Sequence, residues 1–175
     1  PQETEDGSGS WNADRLTEAA AALGEAAEAL AHRLPLPSSE QVLRELRDVP
    51  LPEGVGPFSD ARLVRLASAA AGAVAVSTRL ELYPVGMDAP SALRESRAVL
   101  LDRTGLDVAQ VHARVRARFP EVAPLPGRPE LDPLLEGLGL VWRDGRYALP
   151  TRGGLLTTMV SSGLRSTTFA TPDDR

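Results

Sequence analysis

Residues 106–150, LDVAQVHARVRARFPEVAPLPGRPELDPLLEGLGLVWRDGRYALP, decide the fold. The stretch reads as a helix, a turn, a short helix and a two-stranded hairpin. Leu140–Arg143 and Arg146–Leu149 are separated by Asp144-Gly145, a two-residue loop of the type that needs positive φ at both positions. Such a loop sets the register. Arg143 faces Arg146, Trp142 faces Tyr147, Val141 faces Ala148 and Leu140 faces Leu149. Because side chains alternate along a strand, Leu140, Trp142, Tyr147 and Leu149 share a core-facing side. The fold class predicted is mainly α with a small β wing: a winged helix-turn-helix preceded by a helical N-terminal region.

Composition narrows the function. The chain has 175 residues, 42% hydrophobic and only 4% aromatic, so its core is built from Leu, Val and Ala. Without Cys there is no disulfide framework or thiolate metal site. The two His, His32 and His112, do not make a zinc site alone. No apolar run is long enough to span a membrane, and the polar, acidic PQETEDGSGS start is no signal peptide. A cytoplasmic protein is the expectation. All 19 basic residues are Arg, and the net charge is −5, so a nucleic-acid contact needs a local patch. The missing initial Met and the Ser/Thr/Gly-rich end read as a piece of something longer.

Outward from the core stretch, residues 1–10 are predicted disordered, 11–57 helical, 58–150 a helical region ending in the winged unit (88–150), and 151–175 a linker-like tail. Between Asn12 and Leu34, the residues Leu16, Ala20, Leu23, Ala27, Leu30 and Leu34 form a narrow apolar seam. The seam pairs with a helix of its own domain or, through Leu16, Leu23, Leu30 and Leu34, with a second copy. Ser38 and Gln41 predict a capping box for a helix to about Asp48. Ser59 caps a helix expected to run on through LVRLASAAAGAVAV as the most buried stretch. Ser77–Tyr83 reads as a strand or as the last turns of that helix; as a strand it would pair with the wing. Asp88 caps a helix to about Asp102, closed by Gly105. Asp107 and Gln110 cap the next helix, which Pro120 ends. For the final helix, Asp132 as N-cap followed by Pro133 fits best.

Candidate contact residues are Arg143, Arg146, Arg114, Arg118 and Arg128, for nucleic acid or a partner. Over residues 107–146 six Arg oppose six Asp and Glu, so the region is neutral. Arg143 and Arg146 face each other at the wing tip, either splayed into water or bridged by a phosphate. The expected recognition helix carries Glu130, Asp132 and Glu136, a poor set for base edges, so protein docking stands first and sequence-independent duplex DNA binding second. No catalytic, cofactor or metal site is read. Glu130 and Asp132 have no partner base, His112 no nucleophile, and no phosphate loop, dinucleotide fingerprint, nucleophile elbow or kinase signature occurs.

RLELYPVGM (79–87), residues 105–140 and SSGLRSTTFATP (161–172) resemble the region C-terminal to the kinase domain of PglW-type serine/threonine kinases. These belong to the Pgl, or type 2 BREX, antiphage systems of actinobacteria. The resemblance spans about residues 58–172 and includes no kinase catalytic residue. It implies a non-catalytic segment of an ATP-dependent parent kinase in phage defence. The partners implied are a protein or another segment of the parent.

Overall fold

The structure is a computed structural model that describes residues 7–101 and 104–150. The predicted tail (151–175), with Leu155, Leu156, Met159 and Val160, lies outside the described residues, as do residues 1–6. Among the described residues the fold is mainly helical with two small antiparallel sheets.

Helix α1 (Gly7–Ala31) starts inside the stretch predicted disordered. Its seam packs within the chain: Leu23, Ala27 and Leu30 are buried, while Leu16 and Leu34 at its ends are exposed. The partner is chiefly α3 (Asp60–Ala71). Gly24 is what lets the two helices meet, since a Cβ there would lie 3.0 Å from the Ala70 carbonyl carbon. Helix α2 (Ser39–Arg47) carries the predicted capping box, Ser38 Oγ accepting from Gln41 N–H and Gln41 Oε1 from Ser38 N–H. Val42 and Leu46 of α2, with Leu63, Val64 and Ala67 of α3, complete this first cluster.

Helix α3 is shorter than expected. Gly72, at φ +74, ends it, and Val74–Val76 is a strand, β1, paired with β2 (Leu82–Pro84). Ser59 stands at its N-cap but makes no side-chain capping bond. Ser77–Tyr83 is therefore neither helix nor a strand of the wing; it supplies the turn and most of β2. Alternation puts Val74 and Leu82 in the first cluster, and Ala75 and Tyr83 in a second. The hairpin is thus buried on both faces and joins two cores.

The second cluster is built from α4 (Ala89–Glu95), α5 (Arg97–Leu100), α6 (Val108–Arg118), α7 (Leu131–Glu136) and the hairpin β3 (Val141–Arg143) and β4 (Arg146–Ala148). Asp88 caps α4 through Ser91 N–H as predicted, but the single helix to Asp102 is broken at Ser96. The break follows from a competing donor. The Glu95 carbonyl accepts from Arg118 Nη1, and Val99 N–H bonds the Ser96 carbonyl instead. Gly105 is not a helix cap either. At φ +74 it passes within van der Waals reach of the β4 backbone, where a Cβ would come 3.1 Å from the Tyr147 carbonyl oxygen. That close approach lets Leu106 exchange two backbone bonds with Tyr147, of 2.9 and 2.7 Å.

The Asp107–Gln110 capping box of α6 forms as predicted, with Val111 and Val115 inward and Phe119 closing the helix. Helix α7 begins one residue before the predicted cap. Leu131 N–H bonds the Gly127 carbonyl and Asp132 N–H that of Pro129, so Glu130 is the N-cap. The Asp132 side chain is thereby released for other partners.

Candidate interaction surface

The β3–β4 hairpin has the predicted register: Val141↔Ala148, Trp142↔Tyr147 and Arg143↔Arg146. Asp144 and Gly145 hold φ of 49° and 79°, the left-handed pair a two-residue loop requires. Leu140 and Tyr147 are buried and Trp142 half-buried on the core side. Leu149 is not with them; it lies past the last paired residue and is 47% exposed.

Four side chains lock α7 to this hairpin. Arg128 forks onto Asp132, with Nε–Oδ1 and Nη2–Oδ2 both 2.9 Å. Tyr147 OH donates to the same Oδ1 at 2.6 Å. The Arg128 guanidinium lies 4.1 Å from the Trp142 ring centre, and Trp142 meets Tyr147 edge-on at 4.7 Å. The Arg128 hydrogen bonds, seconded by Tyr147, hold the Asp132 carboxyl below its ordinary range. Burial, with the bond to Asp132, pushes the Tyr147 hydroxyl well above its own. A planar fork on a carboxylate is fixed in geometry as well as charge.

The five candidate arginines therefore separate. Arg143 and Arg146 are exposed at the hairpin tip and make no ion pair or hydrogen bond among the described residues. Arg128 is committed to Asp132 and Trp142. Arg114 donates to the Val99 carbonyl at 2.7 Å. Arg118 is not a surface contact at all. It pairs with Glu81 through Nη2–Oε1 at 2.6 Å and Nε–Oε2 at 3.0 Å, each side chain only 11% exposed.

Glu81 and its turn were not foreseen. Ser77 Oγ donates to Glu81 Oε2 and accepts from Arg79 and Glu81 N–H, folding the β1–β2 turn around one carboxylate. The only signal was the polar alternation of STRLELY. His112 Nε2 lies 2.9 Å from the Pro126 carbonyl and anchors the loop after α6. Among the described residues no His, Cys, Asp or Glu group is arranged to hold a metal, and no helix is long and apolar enough to cross a membrane.

No protein-family model and no solved structure matches the chain. A probable kinase, PglW, of Streptomyces coelicolor is 35% identical over 161 residues, 85% of this chain. The matched chain spans 9% of that protein's length. Over most of its length this chain is thus similar to a PglW region, and the small share matched is consistent with a place outside the kinase domain.

Proposed function

We propose that residues 88–150 form a winged helix-turn-helix that serves a larger antiphage-defence kinase as a non-catalytic docking module for a partner protein or another segment of the parent. The order of elements supports the fold: two short helices, the extended Leu106 paired to Tyr147, α6, α7 and a hairpin. In that arrangement Leu106 takes the third-strand place first expected of Ser77–Tyr83. The observation that carries the docking reading is the Arg128–Asp132–Tyr147 lock. It occupies the one arginine flanking α7 and leaves Glu130 and Glu136 exposed there. Acidic side chains on the helix that would enter a major groove repel phosphates.

Calorimetric titration of this chain into the rest of the parent tests it. A saturable complex that persists in moderate salt is expected. Absence of any complex, together with tight duplex DNA binding, overturns it.

The second reading, sequence-independent contact with duplex DNA backbone, is favoured by one observation, the exposed Arg143 and Arg146 opposed at the tip. Anisotropy of labelled duplex at two salt concentrations tests this, because phosphate contacts weaken steeply with salt. Self-association through the exposed Leu16 and Leu34 is a lesser proposal, checked by mass in solution.

A further inference from the structure

The β3–β4 hairpin carries an open sheet edge. Tyr147 gives its backbone N–H and carbonyl to Leu106. Trp142, opposite Tyr147, therefore belongs to a pair that exchanges no ladder bond. Its N–H and carbonyl point away from β4, and neither has a partner among the described residues. At Leu140 the equivalent outward N–H is taken by the Leu135 carbonyl at 3.0 Å, so the end of α7 closes the edge there. The edge is open from Trp142 to the turn. We propose that it accepts an extended segment of a partner protein, a strand alternating acidic and apolar residues, which adds to the sheet beside β3. This rests on the docking reading above and names its surface and the chemistry of its partner.

The alternation follows from the two faces of the hairpin. A strand paired antiparallel with β3 sets one residue opposite Trp142, and the two exchange both backbone bonds. Its neighbours then stand opposite Arg143 and Val141. Trp142 is half-buried on the core side and favours an apolar, β-branched residue beside its ring. Arg143 stands on the wet face with Arg146 across from it. Both are exposed, and neither meets an anion among the described residues. A carboxylate opposite Arg143 offsets that like-charge pair.

Charge also selects among occupants. A second copy pairing through β3 would gather four arginines on one sheet face, two from each hairpin, and like charges there repel. Edges are otherwise blunted by proline, a bulge or a covering element. β3 has no proline, and its register with β4 runs without a bulge. A DNA phosphate can meet the two guanidiniums, but it leaves the Trp142 N–H and carbonyl unused. An acidic strand engages that backbone pair as well as the charge.

The test is nuclear magnetic resonance of the whole chain, with hydrogen exchange of the Trp142 amide as the readout. The probes are the peptide acetyl-TEVEVT-amide, its counterpart with lysine for glutamate, its counterpart N-methylated at both valines, and a short DNA duplex. Peptides are added to about 5 mM, because so short an edge binds weakly. The acidic peptide should protect the Trp142 N–H, and the lysine and N-methylated peptides should not. Arg143→Ala/Arg146→Ala should weaken binding about fivefold, through the loss of exposed ion pairs. The proposal is overturned if Trp142 exchanges as freely with the acidic peptide as without it, or if either control peptide protects it equally. Duplex that binds through Arg143 and Arg146 while the acidic peptide does not overturns it in favour of nucleic acid. Protection that rises with protein concentration alone overturns it in favour of a second copy. A complex with the rest of the parent in which Trp142 stays unprotected keeps the docking reading and overturns the edge. Peptide binding without any such complex supports the edge and removes the parent as its partner.

Discussion

The hairpins β1–β2 and β3–β4 have the same length and the same antiparallel pairing, but opposite surroundings. Tyr83 in the first is fully buried, edge-on to Phe119 at 5.0 Å, and its hydroxyl accepts from Glu121 N–H at 2.9 Å. The opposite face of that hairpin, Val74 and Leu82, enters the α1–α3 cluster. The second hairpin has one covered face and one wet one, with Arg143 and Arg146 at its tip. A short hairpin is marginal alone in water, so each survives on what covers it. The first is a joint between two cores; the second is a lever on one core with a free end.

Substitutions that attack the joint should therefore cost far more than those at the free end. Tyr83→Ala removes a large buried ring and should destabilise by about 3–5 kcal/mol. Urea denaturation followed by a probe in each cluster should show both melting together; loss of one alone would mean the hairpin does not couple them. Arg118→Ala leaves Glu81 buried without its partner, a loss of about 3–5 kcal/mol at the upper end. Discounted for the 11% exposure of both side chains, it should fall near the lower end or below. Replacing both residues with apolar ones of similar volume should recover most of the loss.

Gly24→Val tests the first cluster by itself. A larger side chain pressed on the Ala70 and Ala71 backbone should cost about 1–3 kcal/mol, against the usual gain on removing a helical glycine. A stabilised protein would show that α1 and α3 shift apart freely.

The α7 lock on the second hairpin is exposed and should contribute little, but with a distinct pH dependence. The folded carboxyl of Asp132 sits below the ordinary 3.8, so its contribution is fully present above that value. It is lost as pH falls through the lowered folded value, because the unfolded chain takes up the proton first. The difference in urea midpoint between wild type and Asp132→Asn should therefore be larger at pH 7 than at pH 3. Smallest of all, Arg143→Ala/Arg146→Ala should change stability by no more than about 0.5 kcal/mol. An effect above that would mean the tip is held from a side not yet counted.

The features legible in the sequence were local ones. Asp144-Gly145 determined the β3–β4 register because a two-residue loop admits one pairing. Ser38/Gln41 and Asp107/Gln110 determined two helix starts, since a capping box closes within four residues. Arg118 shows where that kind of reading stops. It stands seven residues after the buried Val111, on the covered face of α6, but only the docking of the β1–β2 turn brings Glu81, 37 positions earlier, against it. The same ion pair brings Arg118 to the Glu95 carbonyl, which breaks the expected long helix at Ser96. Gly105 looked like a helix cap because positive φ serves caps and close approaches alike; the nearby Tyr147 backbone decides between them.

By itself, then, the sequence determined the elements whose signals close over a few residues: the caps, the tight turn and the apolar seam of α1. Tertiary structure alone decided which elements those faces meet. It put α3 against the seam, hid both faces of β1–β2, drew Arg118 inward and tied Arg128 to Asp132 at the surface. The physical reason is that a side chain's exposure depends on partners far along the chain, and no local pattern encodes their arrival.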